Sequence, residues 1–112
     1  MSFPINFDRY VWTQLTLSPV AVSASTTSSQ AFTVNGLLAT DQCVNVTKVS
    51  SQVGLAVVEG TVTGANQLTL QFMNSTASPI TPTANGLYNV LFCRPEKVLG
   101  GPDALSGNVV FQ

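Results

Sequence analysis

Thr61-Val-Thr-Gly-Ala-Asn-Gln-Leu-Thr-Leu-Gln-Phe72 is the stretch that decides the fold class. Its second half places Leu68, Leu70 and Phe72 at every other position, with Thr69 and Gln71 between them. That is the period of a strand buried on one side only. Gly64-Ala-Asn66 before it is turn chemistry, because glycine and asparagine tolerate the left-handed backbone that a tight reversal needs. Thr61 and Val62 lead into the turn from a further run, Leu55-Ala-Val-Val58, which follows Gly54. A short, mostly apolar run of this kind fits a strand buried on both sides or at an interface. Two strands around a turn therefore form the centre of the reading.

The same period continues outward. Asp41 opens a strand in which Val44 and Val46 alternate with Cys43 and Asn45, and Phe32 and Val34 point inward from a strand that Asn35-Gly36 ends. Residues 18–29 are small and polar after a short apolar start, and read as an edge strand followed by a loop. The first strand puts Val11, Thr13, Leu15 and Leu17 on one face and Tyr10, Trp12 and Gln14 on the other. Downstream, Asn74 to Gly86 is a loop punctuated by Pro79, Pro82 and Asn85-Gly86. Tyr88, Val90 and Phe92 then alternate with Asn89, Leu91 and Cys93 until Pro95 stops the strand, and Asn108 to Phe111 form a last short one. About seven or eight short strands with frequent turns mean an all-β chain, a two-sheet β-sandwich or small barrel. The expected core is Phe32, Val34, Val44, Val46, Leu68, Leu70, Phe72, Val90 and Phe92. Residues 1–10 are an N-terminal arm and the start of the first strand, 11–94 the sandwich domain, and 95–112 a C-terminal extension.

Composition narrows the function. Only 8% of the 112 residues are charged while 45% are hydrophobic, against about 25% charged in an average soluble domain. So sparse a set suits a subunit whose surface is covered by neighbours. Lys and Arg number only four, with no cluster, which argues against a run of phosphate contacts and so against direct nucleic-acid binding. The N-terminus has neither the basic start nor the apolar core of a signal peptide, and no stretch reaches the roughly 20 apolar residues of a membrane helix. The expectation is a chain made in the cytoplasm of its host cell, with Cys43 and Cys93 as reduced thiols and no membrane partner.

No catalytic constellation emerges. The chain contains no histidine, so a hydrolytic triad lacks its usual base, and two cysteines without histidine are too few for a zinc site. Gly100-Gly101 is followed by Pro102 and not by the Lys-Ser/Thr of a phosphate loop. Asp41, at the start of a strand, is expected to accept backbone N–H bonds, and Glu59 to be an exposed strand-end charge. Asn45-Val-Thr47 and Asn74-Ser-Thr76 match the glycosylation pattern but read as incidental without a secretory signal. Cys43 and Cys93, opposite in phase to the large apolar residues, read as small half-buried hydrophobes and not as a pair. The expectation is a protein that is not an enzyme and takes no cofactor and no metal.

From Ser23 to Arg94 the order of phrases resembles a family of small bacteriophage virion proteins. These phrases are Phe32-Thr-Val-Asn-Gly-Leu37 after a Ser/Thr-rich segment, Asp41-Gln-Cys-Val-Asn-Val46, Gly54-Leu55, Val62 to Asn74, Ile80-Thr-Pro-Thr83, and Tyr88-Asn-Val90 running to Arg94. The resemblance implies a jelly-roll-like sandwich, with immunoglobulin-like connectivity as the alternative. It also implies a decoration (cement) subunit on the virion's capsid surface that stabilises an icosahedral head by bridging major capsid proteins, and a homotrimer. A head-fibre or tail-fibre component is the structural alternative. A carbohydrate-binding sandwich contacting the host surface is the other, with Tyr88, Asn85 and Asn89 as its candidates.

The contacts are expected at the ends and on one face. Phe3, Ile5 and Phe7 alternate in a short arm, and Val109, Val110 and Phe111 end the chain; neither end is long enough to bury its apolar groups alone. Tyr10 and Trp12 lie on the face of the first strand away from Leu15 and Leu17, where aromatic residues can anchor an interface; the equal alternative is a first strand buried on both faces.

Overall fold

A computed structural model describes residues 7–95, with side chains from Arg9 onward. Six strands run in chain order: β1 (Phe7–Leu17), β2 (Thr26–Thr33), β3 (Gln42–Lys48), β4 (Leu55–Gly64), β5 (Gln67–Asn74) and β6 (Gly86–Pro95). They form two antiparallel three-stranded sheets, one in the order β1-β6-β3 and the other β2-β5-β4. The protein is all-β, a small two-sheet sandwich, and none of the described residues is helical. With six described strands it has fewer than the eight of a jelly roll or the seven of an immunoglobulin domain, and its strand order assigns neither connectivity.

The interior is built from two matching triplets on the central strands. Leu68, Leu70 and Phe72 of β5 and Tyr88, Val90 and Phe92 of β6 are all buried, and Phe72 meets Tyr88 edge to face with ring centroids 6.2 Å apart. Leu17, Val22, Leu37 and Leu55 close the core, with Phe32, Val34 and Val46 packed against it. Of the expected core only Val44 fails, being 53% exposed. The cause is a β-bulge in β3: Cys43 pairs with Phe92 and Asn45 with Leu91, so Val44 is the extra residue. One inserted residue reverses the phase of everything before it. Cys43 therefore takes the inward place expected for Val44. The two thiols form no disulfide.

A second bulge lies between Val57 and Glu59 in β4, and of the two readings of Leu55–Val58, buried on both sides or at an interface, the first is corrected. Leu55 is buried and Val57 half-buried, but Ala56 and Val58 are exposed. Glu59 is exposed as expected, in mid-strand. β2 also starts earlier than expected, at Thr26, so that Thr26–Ser29 belong to a strand paired with Met73, Asn74, Phe72 and Gln71. Hydroxyl side chains carry no hydrophobic alternation, which hid this strand half in the sequence. Residues 18–25 form the connection, in which Val22 makes a single bridge to Ile80 and Gln30 clamps Val20 through both its backbone N–H, at 2.8 Å, and its C=O, at 3.0 Å.

Two features hold the sheets in register. Gly60 lies where β4 meets β3: a Cβ there would stand 2.9 Å from Cys43 Sγ and 3.0 Å from Leu70 Cδ2, so the close approach needs glycine. At the end of the sandwich Asn74, 1% exposed, donates to the C=O groups of Val22 and Ser78 and accepts from the N–H and hydroxyl of Thr76. Its amide is fully used in joining the 74–80 loop to the β1–β2 connection, a structural role for the Asn74-Ser-Thr76 pattern.

Candidate interaction face

The β1-β6 register sets which side chains look outward. Tyr10 stands opposite Cys93, Trp12 opposite Leu91, Gln14 opposite Asn89 and Thr16 opposite Leu87. On the other flank of β6, Asn45 joins the Leu91 row and Thr47 the Asn89 row. Val49 N–H bonds Leu87 C=O at 3.0 Å and extends the ladder by one residue. The outer face of this sheet therefore carries Tyr10, Trp12, Leu87, Leu91 and Val49 among the amides and hydroxyls of Gln14, Asn45, Thr47 and Asn89. None of these positions is charged. Tyr10 is 61% and Trp12 63% exposed, values at odds with the cost of leaving large apolar surface in water. The bulge at Val44 adds an exposed apolar side chain beside them.

Gln14 Nε2 donates to Asn89 Oδ1 at 3.0 Å across the two strands, so the polar part of the face is itself pre-arranged. A burial-raised pKa makes both Cys43 and Cys93 less thiolate-like than a free thiol, the main cause in each being desolvation; neither is an activated nucleophile.

At one end of the same sheet lies a cleft of about 260 Å³, lined by Val11, Thr13, Val34, Leu37, Phe92 and the Asp41–Arg94 pair. Arg94 was not singled out in the sequence beyond the phrase that ends on it, yet it organises this end. Its Nε donates to Asp41 Oδ1 at 2.7 Å and its Nη2 to Oδ2 at 2.8 Å, while Nη2 also reaches Gly36 C=O at 3.0 Å. Leu38 N–H donates to Asp41 Oδ2 at 2.8 Å, the backbone bond expected for this carboxylate. The Arg94 side-chain hydrogen bond is the first cause of a lowered Asp41 pKa, opposed by desolvation. A carboxylate with both oxygens occupied and its basicity reduced is a poor proton acceptor. The pair fastens the 35–41 loop to the end of β6.

The other sequence candidates are dispersed. Tyr88 is 0% exposed, its hydroxyl buried without a partner among the described residues and its pKa raised by burial. Asn85 sits in the turn before β6 with φ of 57°. Tyr88, Asn85 and Asn89 thus form no surface cluster for a sugar. Phe7 opens β1, but Phe3, Ile5, Val109, Val110 and Phe111 lie outside the described residues, as does the strand expected over Asn108 to Phe111. No protein-family model matches the chain, and no curated protein or solved structure matches it.

Proposed function

We propose that the protein is an assembly subunit of a virus particle, a decoration or cement protein that docks on the outer shell of an icosahedral phage head and bridges neighbouring major capsid proteins. The observation that carries this reading is the outer face of the β1-β6-β3 sheet, where Tyr10 and Trp12 stand exposed and no outward position is charged from Tyr10 to Thr16, Gln42 to Val49 or Leu87 to Cys93. Covering such a face with protein strands no ion in a dry interface, the term that most often opposes burial. Tyrosine and tryptophan are also the side chains in which binding energy concentrates. Each of the two rings contributes on the order of 1.5–3 kcal/mol when buried, before ordering costs. The phrase order between Ser23 and Arg94 supplies the choice of a phage head as the assembly.

Action is mechanical in this reading. The rigid sandwich ties adjacent shell proteins together, and mass action converts tight binding at many sites into resistance of the shell to heat and internal pressure. The test is occupancy on purified particles with and without Trp12→Lys. The expected result is a copy number comparable to that of the shell protein, lost in the variant while its fold is kept. A handful of copies per particle moves the protein to a fibre, and full occupancy by the folded variant removes the face from the mechanism.

A further inference from the structure

The inward face of β1 loses its cover toward one end of the sandwich. Leu17 is buried and Leu15 and Thr13 are half-buried, whereas Val11 and Arg9 are exposed, although all five share the phase that faces the core. There Val11, 42% exposed, lines the cleft of about 260 Å³ with Val34, Leu37 and Phe92. Leu37 and Phe92 belong to the core, so the floor of the cleft is the core itself. Its rim is cationic. Arg9 and Arg94 stand opposite each other on β1 and β6, where like charges repel, and both reach the cleft. Asp41 is the one carboxylate among the described lining residues, and its oxygens are taken by Arg94 and by Leu38 N–H. Arg9 makes no hydrogen bond or ion pair among the described residues. Two guanidinium groups thus share one carboxylate, and the charge of Arg9 is the surplus.

We infer that this cleft binds a small organic carboxylate with an apolar body, the carboxylate held by Arg9 and the body laid over Val11 against Leu37 and Phe92. Separate observations ask for the two halves of the ligand. A guanidinium fork presents paired N–H donors that match the two oxygens of a carboxylate. An apolar body takes Val11 out of water, which is favourable in proportion to the area covered. An inorganic anion would leave Val11 in water, and a neutral apolar molecule would leave Arg9 unanswered. One surplus cation beside Asp41 also fits a single negative charge, because a second would meet the Asp41 carboxylate. The volume lies below the roughly 300–1,000 Å³ of sites for drug-sized ligands, so a short acyl chain or a single ring is the size admitted. The site uses the face of β1 opposite Trp12, and the inference does not depend on the virion reading.

The experiment titrates the full chain with hexanoate, butanoate, acetate, hexanol and inorganic phosphate, following the backbone amides of Val11, Leu37 and Phe92 by NMR. Hexanoate is expected to bind at a single site. Affinity should fall about threefold for each methylene removed, and about tenfold when hexanol replaces the acid. Arg9→Gln should lose about as much as the change to hexanol, and Arg9→Lys should recover part of it. Val11→Gln should weaken hexanoate but not acetate. Both positions are exposed, so the substitutions spare the core, and circular dichroism checks each variant. Phosphate or acetate that binds as tightly as hexanoate reduces the site to an exposed charge and overturns the inference. So does a full chain that takes up no hexanoate, one whose responding amides lie around Trp12 instead, or a folded Arg9→Gln variant that binds like the parent.

Discussion

Turned outward, the β1-β6-β3 sheet shows Tyr10, Trp12, Leu87, Leu91 and Val49, whereas the β2-β5-β4 sheet shows mostly Thr27, Ser29, Thr33, Thr61, Gln67, Thr69 and Gln71 around the single charge of Glu59, with Met73, Val58, Ala31 and Ala56 as its apolar members and no aromatic ring. Inward, the sheets are near equivalents: Leu68, Leu70 and Phe72 on one, Tyr88, Val90 and Phe92 on the other. Folding makes the same demand of both inner faces, since each must fill half of one core. It makes no such demand of the outer faces. A hydroxyl and amide face is at ease in water, and Thr63 and Thr69 even satisfy each other at 2.9 Å. The aromatic face lies outside that core, and in the function proposed above it is where a partner docks.

The strongest way to break the comparison is to attack its symmetric half. Phe72→Ala and Tyr88→Ala, one on each sheet, should each cost about 3–5 kcal/mol, because both empty the same core. Urea unfolding should find the two losses within about 1 kcal/mol of each other. A large inequality would mean that the sheets do not share the core equally. Asn74→Leu comes next, at roughly 2–4 kcal/mol, since it leaves the N–H of Thr76 without its partner and takes one of two donors from each of the carbonyls of Val22 and Ser78. Protection of the Thr76 amide from hydrogen exchange should fall with it.

Asp41→Asn should cost about 1–2 kcal/mol at neutral pH, the smaller figure for a buried carboxylate whose arginine partner is partly solvated. Here the sign of the pH dependence is diagnostic. The folded pKa of Asp41 is depressed, so its contribution is complete above the ordinary aspartate range, roughly pH 4. It is lost as pH falls below that range through the folded value. The wild-type chain should therefore lose stability on acidification through this window more steeply than the Asn variant. Parallel acid limbs would show that the pair is not formed.

Tyr88→Phe sharpens the picture from the other side. Removing a hydroxyl that is buried without a partner among the described residues should leave stability unchanged or raise it by about 1 kcal/mol, measured by thermal midpoint. The smallest stability effects belong to the outer faces. Trp12→Ser and Thr69→Ala should each move the midpoint by no more than about 0.5 kcal/mol equivalent. Only Trp12→Ser should weaken attachment to a partner. Equal effects on attachment would erase the distinction between the faces.

Period two made the central strands legible from the residues alone. Leu68-Thr-Leu-Gln-Phe72 and Tyr88 to Phe92 are strands in any context that buries one side, and both stand as read. So does the turn at Ala65-Asn66, where Asn66 has φ of 59°; for Tyr10 and Trp12 the spacing left an exposed face and a strand buried on both faces equally open, and the structure exposes both rings. Periodicity failed where a single residue interrupts it. Val44 and Val58 look like core residues until bulges, set by how β3 meets β6 and β4 meets β5, carry them outside. It was silent for Thr26–Ser29, which have no apolar contrast to alternate.

Alternating hydrophobicity by itself determined that the chain is all-β and, Val44 apart, which of the strand residues it named face the core, because burial of one strand face is a local property of spacing. Only the tertiary structure decided the partners that lie far apart in the chain. It brought Arg94 onto Asp41, 53 positions away, gave Asn74 its four hydrogen bonds at the sandwich end, and packed β3 against β4. Those outcomes depend on strand order and on how the sheets are stacked, and no local period encodes them.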